Sequence, residues 1–133
     1  MSTQSRECME PSPDHPISIV AEPARITVRV GDTVVADSSA ALRMQEAAYP
    51  PVHYVPLADV DQALLRPSET TTYCPFKGEA SYSSLSTPEG DVQDAIWFYE
   101  SPYPAVGQIA GHVAFYTDRV TLGVEDRDTA GVG

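Results

Sequence analysis

The segment "TTYCPFKGEASYSS", residues 71–84, contains the single lysine of the chain, Lys77, three positions after Cys74. Pro75 favours the second position of a type I or type II turn, because its ring fixes φ at about −65°. Gly78 can adopt the positive φ with which the chain leaves such a turn. The threonine and tyrosine residues on either side favour strands. The segment therefore predicts a β-hairpin that turns at Pro75.

The simplest register of this hairpin pairs three sets of residues across the turn: Cys74 with Lys77, Tyr73 with Gly78, and Thr72 with Glu79. Two groups of side chains would then share opposite faces: Thr72, Cys74, Lys77 and Glu79 on one, and Tyr73, Ala80 and Tyr82 on the other. A β-bulge at Gly78 is the alternative, and it shifts each pair by one residue. In the simplest register an ammonium lies beside a thiol and favours the thiolate. Cys74 is therefore a candidate nucleophile or redox-sensitive thiol; the alternative is a half-buried cysteine beside a solvated lysine.

Alternation of apolar and polar residues predicts strands through most of the remaining chain. These strands lie at residues 25–37, 40–46, 52–55, 94–101 and 112–124, the first as a hairpin around Gly31 and the last as a hairpin across residues 117–119. In the strand 94–101, Ile96 and Phe98 face one side of the sheet, whereas Trp97 and Tyr99 face the other. Helical spacing predicts a helix of about two turns in "PLADVDQALL", residues 56–65, and a proline-started helical turn in residues 102–111. The fold class is mainly antiparallel β with one or two short helices.

The length of 133 residues fits one domain, predicted at residues 15–124 between flexible tails at residues 1–14 and 125–133. The formal net charge of −11 makes nucleic acid and anionic membranes poor partners, because like charges repel. No apolar run is long enough to cross a bilayer or to act as a signal peptide, so we expect a cytoplasmic protein. Two cysteines, Cys8 and Cys74, and three histidines without metal-ligand spacing predict neither a metal site nor a cofactor.

Aromatic residues concentrate around the distinctive segments and predict a ligand cleft, because tyrosine and tryptophan combine an apolar body with a polar tip. The proposed lining is Tyr54, Thr72, Tyr73, Lys77, Tyr82, Trp97 and Tyr99. Lys77 would steer a small anionic ligand into it, as the one ammonium side chain in an acidic protein. A second hypothesis is a small enzyme with Cys74 as nucleophile or His112 as acid–base residue. A third is a structural or self-association module, and a homodimer is compatible with all three.

Five motifs occur in order along the chain: "HPISI", "YPPVHYVPLADVD", "TTYCPFKGEASYSS", "AIWFYESPYP" and "IAGHVAFY". Together they closely resemble domain of unknown function 427, a family found mainly in bacteria and fungi, over residues 15–122. The resemblance implies a β-tent fold, like that of methionine-R-sulfoxide reductases, without the paired CxxC zinc ligands of those relatives. Members are sometimes labelled nucleotidyltransferases, a label that only the acidic pair Asp59 and Asp61 supports here. The family has no agreed activity, so the resemblance implies a fold and leaves the function open.

Overall fold

The structure, a computed structural model, describes residues 10–125. Residues 1–9, which include Cys8, and residues 126–133 lie outside this range, and with them most of the two predicted tails. Ten strands follow one another along the described chain: β1 Ile17–Ala21, β2 Arg25–Val30, β3 Thr33–Ser38, β4 Leu42–Glu46, β5 Val52–Pro56, β6 Leu65–Cys74, β7 Gly78–Thr87, β8 Gly90–Phe98, β9 His112–Phe115 and β10 Thr121–Glu125. Three short 3₁₀ helices lie between them: Leu57–Asp59, Gln62–Leu64 and Pro104–Ile109.

The strands form two antiparallel sheets, which confirms the predicted mainly β class with short helices. The larger sheet has the order β1-β4-β5-β9-β8-β7-β6, and the smaller has the order β10-β2-β3. The hairpin of β2 and β3 turns at Gly31 as predicted, with a φ of 58° that glycine adopts without steric cost. None of the helices in the described range is long and apolar enough to cross a bilayer.

Two predicted elements were wrong. Residues 112–124 do not form a hairpin, because β9 pairs with β5 and β8 whereas β10 pairs with β2 in the other sheet. The turn after Tyr116 carries the chain between sheets, and strand periodicity is the same whichever partner a strand takes. Residues 56–65 do not form one helix, because Val60 is extended between two 3₁₀ turns, is buried and bridges to Ala36. Val60, whose spacing had suggested a helix, is therefore buried through a strand-like bridge instead.

The hairpin of β6 and β7 has the predicted turn and the bulged register. The Lys77 N–H donates to the Cys74 carbonyl at 3.1 Å, and Gly78 has a φ of 114°. Three pairs define the register: Cys74 with Gly78, Tyr73 with Glu79, and Thr72 with Ala80. The simplest register and its face assignment were therefore wrong, because the glycine adds one residue to the connection. Lys77 belongs to the loop, not to a cross-strand pair with Cys74.

The larger sheet buries side chains on both faces, in two clusters. One cluster faces the smaller sheet and includes Val55, Ile96 and Phe115 among its buried members, with Phe98 packed at its edge. The other lies on the opposite face, under the 3₁₀ helix Pro104–Ile109, and contains Met44, Tyr54, Ala80, Tyr99, Val106, Ile109 and Ala114, with Trp97 packed against it. The predicted alternation of residues 96–99 between two faces is thus confirmed. The second face carries the aromatic residues that form the candidate site.

Candidate functional site

A concave pocket, here called the cleft, lies on this second face of the larger sheet and has a volume of about 250 Å³. Its lining comes from β4, β5, β8 and the loops beside them: Met44, Glu46, Tyr49, Pro50, Val52, Tyr54, Lys77, Trp97 and Tyr99. Strand periodicity explains the set, because alternate residues of neighbouring strands face the same side. Tyr54 and Trp97 meet edge to face, with ring centroids 6.5 Å apart.

One wall of the cleft is a chain of three ionisable side chains centred on Glu46. The Lys77 ammonium donates to Glu46 Oε1 at 2.6 Å, and His15 Nε2 lies 2.7 Å from Glu46 Oε2. Lys77 is only 8% exposed, which is unusual for lysine unless it is paired. The His15 ring stacks on Phe76 with centroids 3.9 Å apart, so the turn residues 75–77 contribute to placing both His15 and Lys77 on the same carboxylate.

The cleft changes the protonation properties of its side chains. Burial alone would raise the pKa of Glu46, but hydrogen bonds from Lys77 and His15 outweigh it and hold that pKa below its ordinary value. Burial raises the pKa of Tyr54 to about 12, and it raises the pKa of Tyr99 as well. Both phenols therefore stay protonated near neutral pH and can donate hydrogen bonds. The cleft thus combines two phenolic donors with a buried ion pair.

Four of the seven predicted ligand-binding residues line the cleft: Tyr54, Lys77, Trp97 and Tyr99. The other three lie elsewhere. Thr72 Oγ1 is 2.9 Å from the Tyr82 hydroxyl, and the Tyr82 ring stacks on Tyr116. Tyr73 lies on the opposite face of its hairpin, where its hydroxyl is 2.6 Å from that of Tyr103. Tyr82 packs against the same cluster as the cleft but lies on β7, whereas the strands that line the cleft are β4, β5 and β8.

The structure does not join the two predicted catalytic residues. Cys74 is a free, half-buried cysteine packed against the Tyr54 and Tyr99 cluster. His112 begins β9, and its Nδ1 lies 3.0 Å from the Ala110 carbonyl oxygen. Within residues 10–125 no hydrogen bond connects them, so a Cys74–His112 pair has no support from the geometry. The enzyme hypothesis stays a prediction.

Sequence reasoning did not select three residues of the site: Glu46 and Tyr49, which line the cleft, and His15, which contacts Glu46. Glu46 was interpreted as the last residue of an alternating strand, and His15 was considered only as a metal ligand. The signal that was available is that His15 and Tyr49 are the first residues of two of the five motifs, "HPISI" and "YPPVHYVPLADVD". Their convergence depends on pairing of β1 with β4, which places Ile17 opposite Glu46.

The acidic pair Asp59 and Asp61 has structural partners. Ser38 Oγ donates to Asp59 Oδ2 at 2.6 Å, and the Asp61 side chain accepts from the Ala63 N–H. In the described part of the chain no group of three or more histidine, cysteine, aspartate or glutamate residues could hold a metal ion. Both carboxylates of the pair thus accept hydrogen bonds from protein groups.

A comparison with known protein families matches residues 18–126 to the domain of unknown function DUF427. The chain belongs to this family. The DUF427 match covers every strand of the structure except the first residue of β1 and extends through the cleft. A comparison with curated proteins finds no significant match. The two sheets establish a mainly antiparallel β fold. The more specific likeness to β-tent proteins stays a prediction.

Proposed function

We infer that the protein binds a small ligand with an anionic group and a flat apolar part in the cleft. The observation that carries this inference is the convergence of Lys77 and three aromatic residues, Tyr54, Trp97 and Tyr99, on one concave surface. Small-molecule sites are typically apolar and aromatic with a few convergent polar groups. The cleft has this composition, and its volume of about 250 Å³ suits a compact ligand.

The polar groups of the cleft favour a ligand that accepts hydrogen bonds. Burial keeps the phenols of Tyr54 and Tyr99 protonated, so each can donate. The Lys77 ammonium has three donors and gives one to Glu46, which leaves others for a ligand. A carboxylate or phosphate would use these donors, whereas a cationic group would leave them unsatisfied.

The carboxylate of Glu46 disfavours the binding of an anion, because it already forms an ion pair with Lys77. His15 and Lys77 both lie on this one carboxylate, one on each of its oxygens. The pair with Glu46 also holds the buried Lys77 side chain in place, as a preformed donor.

The test uses phenylacetate as the probe and the fluorescence of Trp97, the one tryptophan of the chain, as the readout. Phenylacetate should bind more tightly than the neutral phenylacetamide. Lys77→Met should weaken phenylacetate binding about tenfold or more, the effect of losing one charge-assisted hydrogen bond. Equal affinity for the two probes, or an unchanged affinity in Lys77→Met, would refute the proposal.

Two further variants separate the cleft from general effects on the protein. Tyr99→Phe removes one proposed donor and should weaken binding, whereas Tyr103→Phe removes a hydroxyl that bonds to Tyr73 outside the cleft and should not.

A further inference from the structure

A second cavity, here called the slot, opens where the larger sheet splits between β5 and β9. The Leu57 N–H donates to the Gly111 carbonyl, and the pairing of β5 with β9 continues through Pro56–His112 and Val55–Val113. The same register would continue with Tyr54 opposite Ala114 and then His53 opposite Phe115, but the pairing ends at Val55 and Val113. Both strands keep their outer partners there, because β4 pairs with His53 and β8 pairs with Phe115. The sheet is therefore open at this position while its two flanks are intact.

The slot has a volume of about 400 Å³. Its walls are mainly aromatic and apolar, with Trp97, Phe115 and Tyr116 across from Pro51 and Val52 on the β5 side. Phe115 belongs to the core cluster on one face of the sheet and Trp97 to that on the other, as expected for an opening through a sheet. The Trp97 and Tyr116 rings lie 4.5 Å apart, and together they present a surface for a flat ligand.

A buried carboxylate orients the histidine of the slot. Glu22 is 6% exposed, and its Oε1 lies 2.8 Å from His53 Nε2 while Oε2 accepts from the Ala24 N–H. The contact with Glu22 places the imidazole proton on Nε2, because a carboxylate only accepts. Among residues 10–125, His53 Nδ1 has no hydrogen-bond partner. The slot thus has an oriented imidazole with one unpartnered nitrogen on its wall.

The one charged residue that lines the slot within the described chain is Asp118, on the exposed turn after β9. It forms no ion pair with any residue from 10 to 125. Arg119 donates to the Gln93 and Asp94 carbonyls, and its guanidinium lies 5.3 Å from the centroid of the Tyr116 ring. Arg43 lies 3.6 Å from Glu22. Asp118 thus adds a carboxylate to the slot, whereas the cleft presents hydrogen-bond donors.

We propose that the slot binds a small primary amine bearing an aromatic ring. The ring would pack against Trp97 and Tyr116, and the ammonium would donate to the Asp118 carboxylate beside the His53 imidazole. An ammonium has three donors and needs acceptors, and a carboxylate supplies two acceptor oxygens. Aromatic faces also attract cations, which adds to the preference. The overall charge of −11 favours the approach of a cation to this surface.

The test measures binding of 2-phenylethylamine by Trp97 fluorescence and by NMR of the His53 imidazole nitrogens, with the neutral 2-phenylethanol as the matched probe. The amine should bind saturably below about 10 mM and more tightly than the alcohol. Asp118→Asn changes one exposed atom, so it should fold normally and weaken amine binding about tenfold. The amine should also shift the His53 Nδ1 resonance.

Variants of the two sites separate the two proposals. Lys77→Met alters the cleft and should leave amine binding unchanged, whereas Asp118→Asn should leave phenylacetate binding unchanged. Equal binding of the amine and the alcohol would overturn the proposal, as would an unaltered affinity in Asp118→Asn. Absence of saturable amine binding would overturn it as well.

Discussion

Breaking the buried ion pair of Lys77 and Glu46 gives the sharpest test of how the site is held together. Removing one member of a fully buried pair costs about 3–5 kcal/mol, because the other charge is left without its partner. Here the side chains of Lys77 and Glu46 are 10% and 17% exposed and border the cleft, so water can reach them in part. His15 also remains on Glu46 when the lysine is lost. We therefore expect about 2 kcal/mol for Lys77→Met and a similar loss for Glu46→Gln.

The double variant Lys77→Met/Glu46→Gln distinguishes coupling from independent packing effects. Each single change should lower the midpoint of thermal unfolding by about 8 °C for a domain of this size. The double variant should lose about 2 kcal/mol, not the sum of about 4, because the second change removes a group that the first already left unpaired. Urea unfolding measures the three free energies directly.

Arg25→Met provides the matched control. Arg25 forms a bidentate hydrogen-bonded pair with Asp37, at 2.6 and 2.8 Å, but both side chains are nearly half exposed. Solvent screens such a pair, so its loss should change stability much less than the loss of Lys77. Additive effects of Lys77→Met and Glu46→Gln, or an equally large effect of Arg25→Met, would refute the reasoning.

Three further predictions concern pH, the turn and the thiol. The folded-state pKa of Glu46 lies below its ordinary value of 4.5. The stabilising contribution of Glu46 is therefore present above pH 4.5 and is lost as the pH falls through the folded-state pKa. In Lys77→Met this loss should begin at higher pH, and urea midpoints measured across the acid range would show it. Gly78→Ala should lower the free energy of unfolding by about 1–3 kcal/mol because of the φ of 114°. Contact does not add to this cost, since the new Cβ would lie at an ordinary 3.5 Å from its nearest atom. Gly107→Ala is the control: it has open space and no positive φ, so thermal unfolding should be nearly unchanged. In a Cys8→Ser background, Cys74 should react with iodoacetamide no faster than a free thiol, because it is packed against the Tyr54 cluster; faster labelling would revive the nucleophile hypothesis.

Local sequence was enough to predict the turn at Pro75 and the faces of single strands. Pro75 and Gly78 specified the turn, because one has a fixed φ and the other tolerates a positive one. Strict alternation placed Trp97 and Tyr99 on a different face from Ile96, and the structure keeps that division. These features depend on residues close together in the chain, and elementary sterics and burial decide them.

The pairing of strands and the partners of charged side chains depend on contacts between residues far apart in the chain. β10 joins β2 across about 90 residues of intervening chain, although its own pattern was equally compatible with a hairpin to β9. Lys77 pairs with Glu46, 31 positions away, and not with the nearby Glu79, because the bulge at Gly78 leaves the lysine in the loop and the order of the sheet brings β4 toward it. Periodicity specifies which face a side chain occupies, but the partner on that face depends on long-range pairing that no local pattern encodes.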